Sequence, residues 1–442
     1  MTLDRLKSIF SDNGCKKIYV KNLAPNDNSK NQVYFAGSFE FLNILPVINI
    51  IAEDAGEWKK ERFKASLDFS WILDDGELDL APNSQLILYP KYPEVRFSGF
   101  LKGCRNAPSE LMKQRLPDRL FFFSVTDENR VIGYVTAPDS QLANEVNSLK
   151  SPLVYGVFRV LELTDENSNR IKLLRELLRI NQLGWIRSKR LDRFGNILPC
   201  EASNCGGYTL EAELGITPNG YSEPDYLGWE IKQFGVANFT RISSAIITLM
   251  TPEPTNGLYK LDGAEKFLRT YGYDDKAGRI DRINFGGIHK VGVLHPLTNL
   301  TLVIDGFDIE SGKIRNATGK IALIDSNGND TASWDFSSML LHWNRKHNQA
   351  CYIPSISDVT NLKSYKYGEH AILGRGTDFH LFLAQMAMGN IYYDPGIKME
   401  NASTNPKIKK RSQFRIKSQY LPHLYRENEI VHLVDDLNIF GN

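Results

Sequence analysis

The apolar positions in the first third of the chain fall in short runs. Leu3, Leu6, Ile9 and Phe10 recur at helical spacing, which predicts an amphipathic helix over residues 1–13 closed by Asn13-Gly14. The pattern then shortens to strand length. Residues 17–21, 32–35, 66–73, 84–89, 94–97, 120–126, 130–136 and 154–163 read as strands, with one helix over 56–64. Turn signals separate them at Asp74-Asp75-Gly76, Ala81-Pro82-Asn83, Asp127-Glu128-Asn129 and Ala137-Pro138-Asp139. Many short strands punctuated in this way predict a small barrel or sandwich domain that ends near residue 165.

A polar stretch over 164–170 reads as a linker, after which Leu173, Leu174, Leu177 and Leu178 restore helical spacing. Further on, Thr209 is placed to cap a helix whose first turn holds Glu211. Residues 241–249 predict a buried strand or short helix, 262–271 and 337–346 helices, and 290–294, 300–306 and 320–325 strands. A strand-rich centre with flanking helices predicts a mixed α/β second domain.

Composition changes this picture little. The 442 residues are 42% hydrophobic and 24% charged, ordinary for globular domains, and the net charge of +1 means that affinity for a polyanion must come from local basic patches. Cys15, Cys104, Cys200, Cys205 and Cys351 complete no zinc pattern; their odd number in a chain with a large core predicts a reducing compartment without disulfides. The first fourteen residues lack the apolar run of a signal peptide, and no run approaches 18 apolar residues, so membrane insertion is not expected.

Candidate chemistry concentrates in residues 219–235, NGYSEPDYLGWEIKQFG. Glu230 and Lys232 are two apart in a β-prone run with Trp229 and Ile231, so a strand puts both side chains on one face. Asp225 lies five residues before Glu230, an odd offset that an unbroken strand sends to the opposite face; Gly228 is the residue able to supply the required bend. With that bend, Asp225 and Glu230 are placed to hold Mg²⁺ while Lys232 orients a water. A surface hairpin with a Glu230–Lys232 ion pair fits the spacing equally well.

Three stretches carry groups suited to a nucleic acid. In the first domain, Arg96 offers a fork for guanine, Glu94 an acceptor for a cytosine amine, and Lys91 and Lys102 charges for phosphates; an exposed strand of mixed charge is the alternative. Arg279 and Arg282 lie in a glycine-rich basic stretch. Residues 407–417, KIKKRSQFRIK, hold six lysines or arginines in eleven residues, and alternation of Phe414 and Ile416 with polar positions predicts a strand presenting Gln413 and Arg415 beside Lys410 and Arg411. A solvated charged loop competes with that reading. His370, Asp378 and His380 lack an accompanying serine or cysteine elbow and are taken as structural.

Pro224-Asp225 followed by Glu230-Ile231-Lys232 resembles the signature of PD-(D/E)xK nucleases. More narrowly, Cys205-Gly206-Gly207-Tyr208-Thr209-Leu210-Glu211, Gly215-Ile216, Pro218-Asn219-Gly220 and Pro224 through Lys232 resemble the MvaI/BcnI branch of type II restriction endonucleases, relatives of the mismatch-repair nicking enzyme MutH. The likeness continues through Tyr393-Asp394-Pro395-Gly396-Ile397-Lys398 to Arg415 and spans most of residues 170–442. Residues 89–100 resemble the effector-binding domain of EcoRII-type enzymes, a DNA-binding pseudobarrel of the plant B3 type.

These resemblances imply a multidomain α/β protein, with a B3-like pseudobarrel over residues 1–165 and a PD-(D/E)xK restriction-endonuclease-like α/β domain over 166–442. They imply Asp225, Glu230, Lys232 and Glu211 as catalytic residues, Asp225 and Glu230 as ligands of Mg²⁺, for which Mn²⁺ substitutes, and double-stranded DNA as partner in two copies, substrate and effector. A type IIE enzyme for CC(A/T)GG or CC(C/G)GG sites, acting as a monomer in a prokaryotic cytoplasm beside a cognate DNA methyltransferase, completes the expectation. A MutH-like nickase or a cleavage-deficient DNA-binding protein is the alternative.

Overall fold

Heptad-like burial of Leu3, Leu6 and Phe10 forms the helix Leu3–Asp12, whose first turn is capped by the Thr2 hydroxyl. The structure, a computed structural model, describes the chain except residues 26–31, 38, 54–60, 91–93, 150–152, 164–165, 203, 218–223, 361 and 440–442. The chain divides into two compact units, Met1–Asn167 and Ser168–Asn442.

The first unit is built on two sheets. Seven strands run in the order Leu153–Tyr155, Phe158–Glu162, Lys17–Leu23, Arg119–Val125, Val131–Thr136, Phe69–Ile72, Leu78–Leu80. Five more run Val33–Ala36, Glu94–Ser98, Gln85–Tyr89, Arg62–Leu67, Val47–Glu53. Alternation in Arg119–Val125 explains the layering. Leu120 and Phe122 join Leu6, Phe10, Leu142 and Val146 under the helices Leu3–Asp12 and Gln141–Asn147, whereas Phe121 and Phe123 stack on Phe35 of the other sheet. Neither sheet closes on itself among the described residues.

The second unit centres on a six-stranded mixed sheet. Its longest strand, Gln349–Asp358, pairs along one edge with His370–Arg375 and Ser364–Tyr367, both antiparallel, and along the other with Glu230–Gly235, parallel. Glu427–His432 pairs with His370–Arg375, and Ile186–Arg187 with Ser364–Tyr367. Ile231, Cys351, Leu373 and Val431 lie on one face and pack under Leu173, Leu174 and Leu177 of the helix Glu166–Gln182. Pleating therefore sends Glu230 and Lys232 to the opposite face.

Several sequence expectations are corrected. The stretch taken as a linker is mostly the start of the helix Glu166–Gln182. Arg62–Leu67 is a strand where the tail of the helix over 56–64 was expected, and the rest of that helix lies outside the described residues. Residues 66–73 are broken at Asp68 into the end of the strand Arg62–Leu67 and the whole strand Phe69–Ile72, which belong to different sheets. Residues 290–294 form isolated bridges only. Cys200 and Cys205 are disulfide-bonded, with Cα atoms 5.8 Å apart, against the expectation of free thiols throughout. Among the described residues no helix is long and apolar enough to cross a membrane.

Candidate active site

The bend before Glu230 is a two-residue turn. Tyr226 and Trp229 exchange backbone hydrogen bonds of 3.0 and 2.8 Å, and Leu227 and Gly228 between them take φ of 50° and 86°. Positive φ at both central positions is the geometry whose twist suits a tight hairpin, and glycine serves it without a Cβ penalty. Leu227 also adopts it, which the sequence gives no sign of. The turn folds Asp225 back so that its Oδ2 accepts the Ile231 N–H at 3.0 Å, beside the start of Glu230–Gly235.

Glu230 is buried, and its Oε1 accepts from Lys232 Nζ at 3.0 Å. Its Oε2 is also buried and has no hydrogen-bond partner among the described residues. An unsatisfied buried carboxylate oxygen is costly, and a cation is one partner able to satisfy it. Asp225 feels the same excess of negative charge: burial, then Glu230, push its carboxyl up to about 7, against the Ile231 N–H and Lys232, which pull it down. Glu211 is likewise pushed up, first by burial and then by Glu230, with Lys232 and Lys346 opposing. Asp225, Glu230, Lys232 and Glu211 are thus one electrostatic cluster.

Glu211 arrives by a different local route from the one expected. The helix spans Cys205–Glu213 with Asn204 at its N-cap position, so Glu211 sits in its last turns. Thr209 lies inside the helix, fully buried, donating to the Lys189 carbonyl at 3.2 Å and accepting its N–H at 3.1 Å. Gly206 lets this helix approach closely, since a Cβ there would stand 2.8 Å from Gln233 Oε1 and 3.1 Å from the Tyr365 ring. The sequence reading missed the helix Phe336–His347 as a contributor. Its Lys346 acts on Glu211, and burial, then Lys346 and Lys232, hold the His342 imidazole below its ordinary range. Lysine four residues after histidine on a helix was the available signal.

The residues singled out for nucleic-acid contact belong to several elements of both units. Lys91 lies outside the described residues. Arg96 is clamped by Glu94 through two bonds of 2.7 and 3.0 Å and stands over the Tyr89 ring; Lys102 is exposed. In the second unit, Arg279 is exposed, while Arg282 is mostly covered and donates to Asn284 at 3.0 Å. Residues 407–417 do not make one strand. Lys407–Lys409 edges a four-stranded sheet and Phe414–Lys417 sits in the middle of a three-stranded one. Lys410 and Arg411 between them are exposed. Gln413 is buried and accepts from Thr248 Oγ1 at 3.2 Å, and Arg415 is paired with Asp394 at 2.6 Å, so both side chains are engaged within the fold. Asp378 caps the helix Phe379–Ala387 and accepts from the His380 ring at 2.9 Å, a structural pairing.

A mixed sheet that presents two carboxylates and a lysine from one strand and its preceding turn defines the second unit as a PD-(D/E)xK-type α/β fold. The sequence model of the MvaI/BcnI restriction endonuclease family matches residues 174–425. The chain therefore belongs to this family of DNA-cleaving enzymes. Among solved structures it is similar to a restriction endonuclease MvaI–cognate DNA substrate complex, 22% identical over 59% of this chain and 96% of that one, with a TM-score of 0.44. It is also similar to MvaI in the absence of DNA, 20% identical over 60% and 97%, with a TM-score of 0.33. No curated protein matches.

Proposed function

We propose that the protein is a type II restriction endonuclease that hydrolyses phosphodiesters of double-stranded DNA with Mg²⁺ at a short CC(A/T)GG-type site. The observation that carries this reading is the carboxylate cluster, in which the buried Glu230 Oε2 has no partner among the described residues. Its donors are all hard oxygens, the set that suits Mg²⁺ and accepts Mn²⁺. Bound there, the cation supplies Lewis-acid polarisation of the phosphate and eases deprotonation of water.

The chain's own residues do the rest. Asp225 and Glu230 would hold the cation together, because the turn at Leu227-Gly228 returns Asp225 to the start of the strand. Lys232, tethered to Glu230 Oε1, orients the attacking water and offsets negative charge at the phosphate. Glu211 supports the site from its helix. Asp225→Ala and Lys232→Ala are expected to retain specific DNA binding and lose cleavage by at least about 100-fold, a few kcal/mol of barrier. Wild-type cleavage rates in either variant reject the assignment.

The first unit is proposed as a B3-like effector domain that binds a second copy of the site, a type IIE arrangement that resembles UbaLAI. A single cluster per chain fits a monomer that nicks the two strands in turn, in a prokaryotic cytoplasm beside a cognate DNA methyltransferase. The test is to sequence the ends made from a plasmid with Mg²⁺, with and without added short duplexes carrying the site. Ends at one short sequence, made faster with the duplexes, are expected. Random ends, or nicks in one strand only, favour a non-specific nuclease or a MutH-like nickase instead.

A further inference from the structure

Glu369, His370 and His432 meet at the far end of the central sheet. Glu230 is level with Ala350 and Gly374, and His370 lies four residues further along its strand, about 13 Å at strand rise. His370 opens the strand His370–Arg375 and stands directly opposite His432, the last residue of the edge strand Glu427–His432. Directly opposed residues share a face, and the two rings are 4.7 Å apart, edge to face. Glu369 precedes the strand, so alternation does not bind it. Its carbonyl accepts the Leu433 N–H at 2.9 Å, which fixes it beside His432, and its Oε1 is 3.7 Å from His432 Nε2.

One ligand atom from each residue lies within 4.8 Å of the others. A second carboxylate stands behind the His432 ring. Asp435 Oδ2 is 3.0 Å from His432 Nδ1, nearer than the Asp435 amide at 3.4 Å. Nδ1 thus faces the Asp435 carboxylate, while Nε2 faces Glu369. A carboxylate behind one ring nitrogen is the arrangement that orients a metal-ligating histidine and raises its basicity.

We propose that Glu369, His370 and His432 form a site for a divalent transition metal of the zinc class, separate from the carboxylate cluster at Glu230. Two imidazole nitrogens and one carboxylate suit Zn²⁺ or Co²⁺ and do not suit Mg²⁺. Metal bonds of about 2.0–2.1 Å place tetrahedral ligand atoms roughly 3.4 Å apart, so the side chains draw in by about an ångström on binding. Glu369, 55% exposed, has room to do so. The bound ion ties the edge strand Glu427–His432 to its neighbour and keeps one position for water.

The test uses full-length protein, stripped with a chelator and titrated with Co²⁺ in the presence of Mg²⁺. The wild type and Glu230→Gln are expected to bind one equivalent with the visible absorption of nitrogen-ligated Co²⁺, to release it to Zn²⁺, and to unfold at a higher temperature with Zn²⁺. His370→Asn and His432→Gln, judged folded by their metal-free unfolding midpoints, should lose both the band and the Zn²⁺-induced rise. Asp435→Ala should bind 10–100-fold more weakly. No band in the wild type, or a band untouched by either histidine substitution, overturns the proposal and leaves the cluster as a histidine–carboxylate ion pair. Loss of the band only in Glu230→Gln assigns the metal to the carboxylate cluster and overturns it equally.

Discussion

Asp225 bears the largest electrostatic mismatch of the carboxylate cluster. Its carboxyl is raised from 3.8 to about 7, so the metal-free protein holds a proton there that the unfolded chain releases near pH 4. The sign follows from linkage: the stability contributed by that proton is full below about pH 4 and is lost as pH rises through about 7. A cation must displace the same proton below pH 7 and meets no such competition above it. The rise in unfolding temperature caused by Mg²⁺ is therefore expected to grow from pH 5.5 to about 7.5 and then level off. Differential scanning fluorimetry with and without Mg²⁺ checks this, and a rise that is independent of pH rejects Asp225 as the competing group.

At the level of elements, the turn Tyr226–Trp229 is the hinge of the site. A Cβ on Gly228 would meet nothing within 4 Å, so Gly228→Ala tests backbone conformation alone. At φ of 86° the substitution is expected to cost about 1–2 kcal/mol, read by denaturant unfolding, and to weaken Mg²⁺ binding by moving Asp225. An unchanged stability would mean that the turn is not held in the left-handed region. Part of this element was legible beforehand: the odd offset between Asp225 and Glu230 demands a bend, and Gly228 is the residue that permits one. The strand Glu230–Gly235 and the helix Leu3–Asp12 were legible from side-chain periodicity. What escaped depended on partners distant in sequence. The glycines at 206 and 207 obscure a helix that close packing on Gln233 and Tyr365 stabilises. The strand Val47–Glu53 is broken by a register shift between Val47 and Ile50, so its burial does not alternate. Gln413 reads as exposed by alternation with Phe414, yet both are buried.

Across the whole molecule, two units in one chain invite a division of labour between cleaving and sensing DNA. Arg96 is held by Glu94, Gln32 and the Tyr89 ring, a guanidinium pre-set in one orientation. If the first unit binds an effector duplex through it, Arg96→Ala should abolish stimulation by added duplex and leave unstimulated Mg²⁺-dependent cleavage within about 2-fold, compared at one salt concentration. Equal stimulation of the variant rejects that role. The hydrogen bond from Ile231 to Asp225 also bears on the stability of the central sheet. Glu230–Gly235 pairs with Gln349–Asp358 and with no other strand among the described residues, so the backbone donors on its other edge need partners from outside the sheet. Asp225 occupies one of those donors, so a side chain placed for chemistry also completes the bonding of a sheet edge. Asp225→Ala uncovers the Ile231 N–H, whereas Asp225→Asn keeps an acceptor over it. The alanine variant is expected to unfold at a lower temperature than the asparagine variant, and only the latter then separates lost chemistry from lost stability.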